Sequence, residues 1–434
     1  MAEAGVAGQV VIGTRERAKV ALSCFLGSAI EWYDFMLYGF LAPLVFDKLF
    51  FPNADPLIGT IAVLGIFAVG FIARPLGGLF FGHFGDRLGR KPVMAATLIL
   101  MGLSTTAIGL LPTYESLGIG AAILLLALRF LQGFALGGES TGAPVLMLES
   151  APHGKRGLFA SIAQSGNFAG VVLATLAVSV VAALPNDVLL GWAWRVPFLL
   201  SVVLVGLGFF VRRKVEESPV FQAARPAPAP VPLLDVLAKY KRPALLVFCC
   251  ALAESGVFYL TAIFGLSYGV KTLGIDKAVL LQGVLIGNVI AIAMVPIFGA
   301  LSDRIGRRWV LGTGFVLAGL YVAFLFFPLL ETRETLAIVL AMAIPGALIQ
   351  PMHIGTTSSF YPELFPDTRV RFSGVSLGRQ FGTIFGGGLM PVVAASLLAW
   401  SGGDLLPVLL YFSGVSGIAV TAVILAEETR QRAI

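Results

Sequence analysis

Eight ionisable side chains stand inside long apolar stretches of this 434-residue chain: Glu31, Asp34, Arg74, Arg129, Glu139, Arg195, Glu254 and Arg379. In hydrocarbon such groups cost several kcal/mol unless paired or hydrated, so they mark function or obligatory ion pairs. Glu31 and Asp34 are three residues apart and share one helix face. A carboxyl there can exchange a proton when burial and a nearby arginine pull its proton affinity in opposite directions. A permanent structural ion pair is the plainer alternative. Arg74 and Arg379 suit an anion, because guanidinium grips a carboxylate through two parallel hydrogen bonds. Arg379 has no acid within its own span, whereas Arg74 equally suits neutralisation of a neighbouring acid. Glu254 reads as a cavity residue or second proton site, and Glu139 as a structural or gating group.

Neutral donors add to this set: Tyr38, Gln132, Gln164, Asn167, Tyr259, His353 and Gln380, with Tyr33, Asn288 and Gln350 beside them. Most such groups serve as interhelical hydrogen bonds. His353 titrates in a useful range, although a lone histidine is more often a packed one. Gly133 and Gly137 have the spacing of a helix-packing device. The chain has no phosphate-binding G-x-x-x-x-G-K-[ST] loop, no zinc-type His/Glu spacing and no nucleophile elbow. An enzyme is therefore not expected, nor a metal or any other cofactor.

The elements that must position these groups are membrane helices. Apolar residues make up 57% of the chain and charged residues 12%, with a mean hydropathy of +0.91. That excludes a soluble enzyme and a disordered scaffold. Cutting at charge clusters and Gly/Pro punctuation predicts twelve spans near 20–46, 57–83, 92–112, 117–146, 157–184, 192–213, 243–270, 278–301, 309–330, 335–361, 372–399 and 405–426. With both termini on one side, that side collects 22 Lys and Arg and the other only 4. The asymmetry makes the basic side cytoplasmic. It also accounts for the net charge of +6 without nucleic acid.

Gly82-His-Phe-Gly-Asp86-Arg87-Leu-Gly89-Arg90-Lys91 recurs as Gly299-Ala-Leu-Ser-Asp303-Arg304-Ile-Gly306-Arg307-Arg308, an offset of 217 residues. Glu149-Ser-Ala-Pro152 matches Glu363-Leu-Phe-Pro366 more loosely, at 214. The repeat predicts an all-α membrane protein of twelve transmembrane helices in two parallel six-helix bundles, 1–212 and 243–434. A solvated linker, 213–242, carries the Pro-rich stretch Arg225-Pro-Ala-Pro-Ala-Pro230.

At these residues the sequence resembles the major facilitator superfamily, whose signature loop is similar to Asp86–Lys91 and Asp303–Arg308. Glu31-Trp-Tyr-Asp34-Phe, Arg74-Pro-Leu-Gly-Gly78, Arg129-Phe-Leu-Gln132-Gly-Phe-Ala-Leu-Gly-Gly-Glu139, Trp194-Arg195-Val-Pro197-Phe and Tyr361-Pro-Glu-Leu-Phe-Pro366 are similar to the metabolite:proton symporters. That group carries shikimate, oxoglutarate, citrate, proline and betaine. The resemblance implies a bacterial inner-membrane symporter importing a small organic acid with protons, in contact with lipid but not nucleic acid, and monomeric. Osmolyte symport and uncoupled or efflux carriage are the alternatives. It further implies that Asp34 meets Arg129, pairing when ionised and parting when protonated; Glu31, one turn earlier, is the runner-up proton site. Two departures, Arg379 for an aromatic or small residue and Ser140-Thr141 after Glu139, leave the solute open. The signature residues Asp86, Arg87, Arg90, Asp303, Arg304 and Arg307 sit where an Asp can cap a helix start and an Arg a helix end. With Glu149, Arg156, Glu363 and Arg369 they are expected to form a gating latch on the cytoplasmic face.

Overall fold

A computed structural model of the chain describes residues 14–88, 90–137, 151, 154–214 and 239–432. Twelve long helices follow in order: α1 Thr14–Leu41, α2 Pro56–Leu88, α3 Arg90–Leu110, α4 Ile119–Gly137, α5 Arg156–Ala182 and α6 Arg195–Lys214. Then come α7 Lys241–Lys271, α8 Lys277–Ile305, α9 Arg307–Glu331, α10 Thr335–Glu363, α11 Thr368–Thr383 with its continuation Leu389–Trp400, and α12 Leu406–Leu425. No strand occurs among the described residues. Nine of the helices are long and apolar enough to span a membrane, and a tenth span forms if Asn186–Ala193 is joined to α6 across a 42° bend. The other two fall short for physical reasons. The α1 helix carries Arg15, Arg17, Lys19, Glu31 and Asp34, and the apolar part of α3 is only Ala95–Leu110.

The packing repeats between the bundles. In the first, α1 lies on α5, α2 on α4 and α3 on α6; in the second, α7 lies on α11, α8 on α10 and α9 on α12. The bundles meet where α5 packs on α8 and α2 on α11, which are again matching helices. This is the two-bundle arrangement that the repeated motif predicts. Both α1 and α7 continue through π turns, Ala42–Phe46 and Leu260–Phe264. The two turns start 218 residues apart, one more than the motif offset, so the irregularity belongs to the repeat.

Helices outrun the predicted spans on the basic face. The α2 helix runs to Leu88 and α8 to Ile305, so Asp86 and Asp303 occupy last helical turns and not loops. Gly306 alone joins α8 to α9, at φ +110°, a conformation that excludes most side chains. The close α2–α4 crossing comes from glycine: a Cβ on Gly133 or Gly137 would collide with the backbone of Gly70 or Arg74. Of the predicted linker, 215–238 lies outside the described residues, as do Glu139, Glu149 and the side chains of Asp86, Arg87, Arg90 and Arg369.

Candidate functional site

A buried polar centre lies where the bundles meet. From α7, Glu254 is 3% exposed and points its carboxylate at α11 and α10. Its Oε1 is 3.7 Å from Arg379 Nη2, and its Oε2 accepts the Tyr361 hydroxyl at 2.8 Å. Gln350 donates to the Glu254 carbonyl at 2.6 Å. The other bundle contributes Gln164 of α5. With its amide oxygen toward Arg379, the orientation that satisfies both groups, it accepts from the two terminal guanidinium nitrogens at 3.1 and 3.2 Å. Asn167 stands within 3.3 Å of the same amide. Thus Arg379, unpaired within its own span, finds its acid on another helix.

Arg74 of α2 approaches from the side. Its guanidinium lies 4.3 Å from the centres of the Phe35 and Phe71 rings, with the Tyr259 hydroxyl, Glu31 and Arg379 around it. Tyr259 belongs to α7 and packs edge-on against Phe71 at 5.2 Å, so the pair straddles the seam. Gln380, the neighbour of Arg379, is 8% exposed.

Deeper in the first bundle, Asp34 is fully buried, with the Ser201 and Thr105 hydroxyls bordering it, and among the described residues neither carboxylate oxygen has a hydrogen-bond partner of good geometry. The expected contact with Arg129 is absent here. Arg129 instead donates to Gln132 Oε1 and lies over the rings of Tyr38, Phe35 and Phe67 at 4.3, 4.7 and 5.1 Å. Cation–π attraction and the amide take the place of the carboxylate. Gln132 links the two, because its Nε2 donates to the Asp34 carbonyl at 3.0 Å and to Thr105 Oγ1 at 2.7 Å.

Other candidates have structural partners. Tyr38 donates to Val63 O at 3.0 Å, Tyr33 to Pro197 O at 2.8 Å and Asn288 to Val284 O at 2.7 Å. His353 is fully buried and lies on Phe315 of α9 at 4.4 Å. Arg195 caps the end of α3 through Gly109 O and Leu111 O, at 3.2 and 2.7 Å.

On the basic face, Asp303 accepts the Gly157 and Leu158 N–H groups at 2.9 and 3.0 Å. A carboxylate from one bundle thereby caps the first turn of α5 in the other, where the helix dipole favours negative charge. Arg307 holds Asp303 at 2.7 Å and Glu363 at 3.2 Å. The Glu363 carboxylate also accepts the Thr429 hydroxyl at 2.6 Å; a contact with Arg369 lies outside the described residues. Arg156 donates to Arg432 O at 2.8 Å, and the Arg304 carbonyl accepts from Arg430.

The family model for the Major Facilitator Superfamily matches residues 24–378. The chain is 38% identical over 419 residues to the shikimate transporter of Escherichia coli K12, covering 95% of both chains. The chain belongs to the Major Facilitator Superfamily. It is also 37% identical to the inner membrane metabolite transport protein YhjE of the same organism, over 96% of both. The E. coli proline/betaine transporter is 34% identical, over 97% of this chain and 86% of the relative. Solved structures of the superfamily superpose well. A D-xylose–proton symporter gives a TM-score of 0.71 at 16% identity, covering 95% of this chain and 98% of the other. A partially occluded inward-open form of the E. coli xylose transporter XylE gives 0.70, at 16% identity and covering 97% and 100%. The polar centre lies at the interface of the two repeats.

In the sequence Tyr361 stands out only as part of a motif, and Thr105 and Ser201 look like ordinary helix hydroxyls. Lys271 is one of only four basic residues on the sparse face, and its position in the sequence does not mark it further.

Proposed function

We propose that the chain is a proton-coupled symporter that brings a small organic acid across the bacterial inner membrane, with the basic face and both termini in the cytoplasm. The observation that carries this reading is the Arg379 cluster, built by both bundles: Gln164 from α5, Glu254 and Arg379 from α7 and α11. At 3.7 Å the Arg379–Glu254 contact is longer than a direct charge-assisted hydrogen bond of about 2.7–2.9 Å. A solute carboxylate can compete for that guanidinium, with Arg74, Tyr259, Asn167, Gln380 and Tyr361 as further contacts. Because the partners lie on both bundles, binding draws the halves together, and they rock about the site on either side of the 213–242 linker.

Asp34 is the proton site in this reading. A buried carboxyl without a hydrogen-bond partner is held most cheaply in its neutral form. When the proton leaves, the carboxylate needs a counter-charge, and Arg129 is tied to the same peptide through Gln132. Arg129 then turns from the rings to Asp34, with Glu31 one turn earlier as the secondary site. The relatives that carry shikimate and unspecified metabolites support this substrate class. A zwitterionic osmolyte is the second reading, supported by the proline/betaine relative and by the Trp32, Phe258 and Tyr259 rings, whose faces suit a quaternary ammonium.

Purified protein in proteoliposomes, challenged in turn with hydroxylated monocarboxylates, dicarboxylates, tricarboxylates, aromatic acids, proline and betaine, decides the matter. The expected result is acid-dependent alkalinisation outside that Asp34→Asn abolishes. Solute flux without proton movement overturns the coupling, and silence across the panel overturns the substrate class.

A further inference from the structure

We propose that Lys271, with Asp47 and Thr60, is the latch that holds shut the face opposite the basic loops. The proposal rests on the alternating-access reading for its purpose but not for its test. Lys271 ends α7 in the second bundle, while Asp47 and Thr60 stand at the end of the α1 segment and the start of α2 in the first. Its ammonium reaches Asp47 Oδ2 at 2.6 Å and Thr60 Oγ1 at 2.5 Å. The Lys271 side chain is 23% exposed and that of Asp47 10%, so the pair is shielded from solvent.

Two further observations fit a moving part. Both helices that bear the ion pair contain a π turn just inside it, Ala42–Phe46 and Leu260–Phe264, at matching points of the repeat. Such turns loosen the helical ladder and let the segment beyond them swing. Between the latch and the polar centre, apolar contacts close the seam. Gly39 lies against Ile263 and Phe67, and Tyr259 against Phe67 and Phe71 at 5.7 and 5.2 Å. On the same face Lys277 at the start of α8 donates to Asn186 Oδ1 at 3.2 Å, but that contact is exposed, so Lys271–Asp47 is the shielded ionic tie between the bundles among the described residues. The Asp303 cap ties the other face at the same time, and the centre is thus enclosed from both sides.

The test is hydrogen–deuterium exchange on the full-length protein in detergent without solute, following peptides that cover 42–60, 259–271 and the start of α5. Lys271→Gln is expected to speed exchange in the first two about fivefold, the ratio that about 1 kcal/mol gives, and to leave the α5 start unchanged. The reversal Asp47→Lys with Lys271→Asp restores wild-type rates, whereas Asp303→Asn speeds only the α5 start. Unchanged exchange at 42–60 and 259–271, or a reversal that fails to restore it, overturns the latch. A silent solute panel beside the expected exchange pattern removes the symport reading and leaves the latch standing.

Discussion

Arg379 illustrates how much a single side chain discloses before its surroundings are known. A guanidinium inside an apolar span must have a partner, and that much follows from its cost in hydrocarbon. Which partner does not follow, because Glu254 is 125 positions earlier and reaches Arg379 only when α7 packs on α11. Asp34 and Arg129 reverse the lesson: both are buried as expected, yet the aromatic rings of Phe35, Tyr38 and Phe67 and the Gln132 amide occupy the guanidinium instead. A charge count cannot foresee that substitution, since cation–π contact needs ring orientation. Two outcomes are expected at this scale. Arg379→Lys keeps the charge but loses the fork, so KM for the acid rises roughly tenfold or more, as loss of a hydrogen bond to a charged group costs about 1.5–3 kcal/mol; initial-rate uptake against solute concentration checks it. Asp34→Asn should stop solute-driven proton movement and preserve solute exchange between equal pools at fixed pH, which counterflow of labelled acid measures.

Along whole elements the repeat was readable and the seam was not. A motif recurring at 217 residues predicts two alike bundles, and the matched pairs α1–α5 with α7–α11 follow from it. That α5 would lie so tightly on α8 depends on Gly299, which the repeat marks only as part of its motif, and on Gly157, which has no signal of its own. A Cβ on Gly299 would stand 2.6 Å from the Gly157 carbonyl oxygen, and one on Gly157 would stand 2.6 Å from Arg307 Nη1 and 3.0 Å from Asp303 Oδ1. The seam and the Asp303 cap are therefore one structure, because the N–H groups that Asp303 accepts belong to Gly157 and Leu158. Gly157→Val should wedge α5 from α8 and release the cap together. The expected result is a carrier biased open on its basic face, read as faster hydrogen exchange at the start of α5. A thermal midpoint lowered by the overpacking cost of about 1–3 kcal/mol should accompany it. Gly191→Val, at a position where a Cβ would meet nothing, is the control and should change neither reading.

For the molecule as a whole, charge bookkeeping across the membrane separates the two substrate classes without identifying the solute. With Arg195 occupied at the end of α3, Glu31, Asp34 and Glu254 balance Arg74, Arg129 and Arg379 in and beside the centre, so this set is neutral when all six are ionised. One proton on Asp34 then leaves room for one solute negative charge, and a monocarboxylate with its proton crosses as a neutral load. A dicarboxylate with a single proton carries one net negative charge inward. An inside-negative potential opposes that load by about 2.3 kcal/mol per 100 mV. A zwitterion with a proton carries one positive charge, and the same potential assists it equally. Uptake in vesicles with a potassium diffusion potential, imposed at constant pH on both sides, distinguishes the three. For symport of a monocarboxylate with one proton the initial rate should be insensitive to an inside-negative potential and should rise with an inward proton gradient alone. Acceleration by the potential would assign the centre to zwitterions, and a rate that falls would mean that the solute enters with more negative charge than Asp34 offsets.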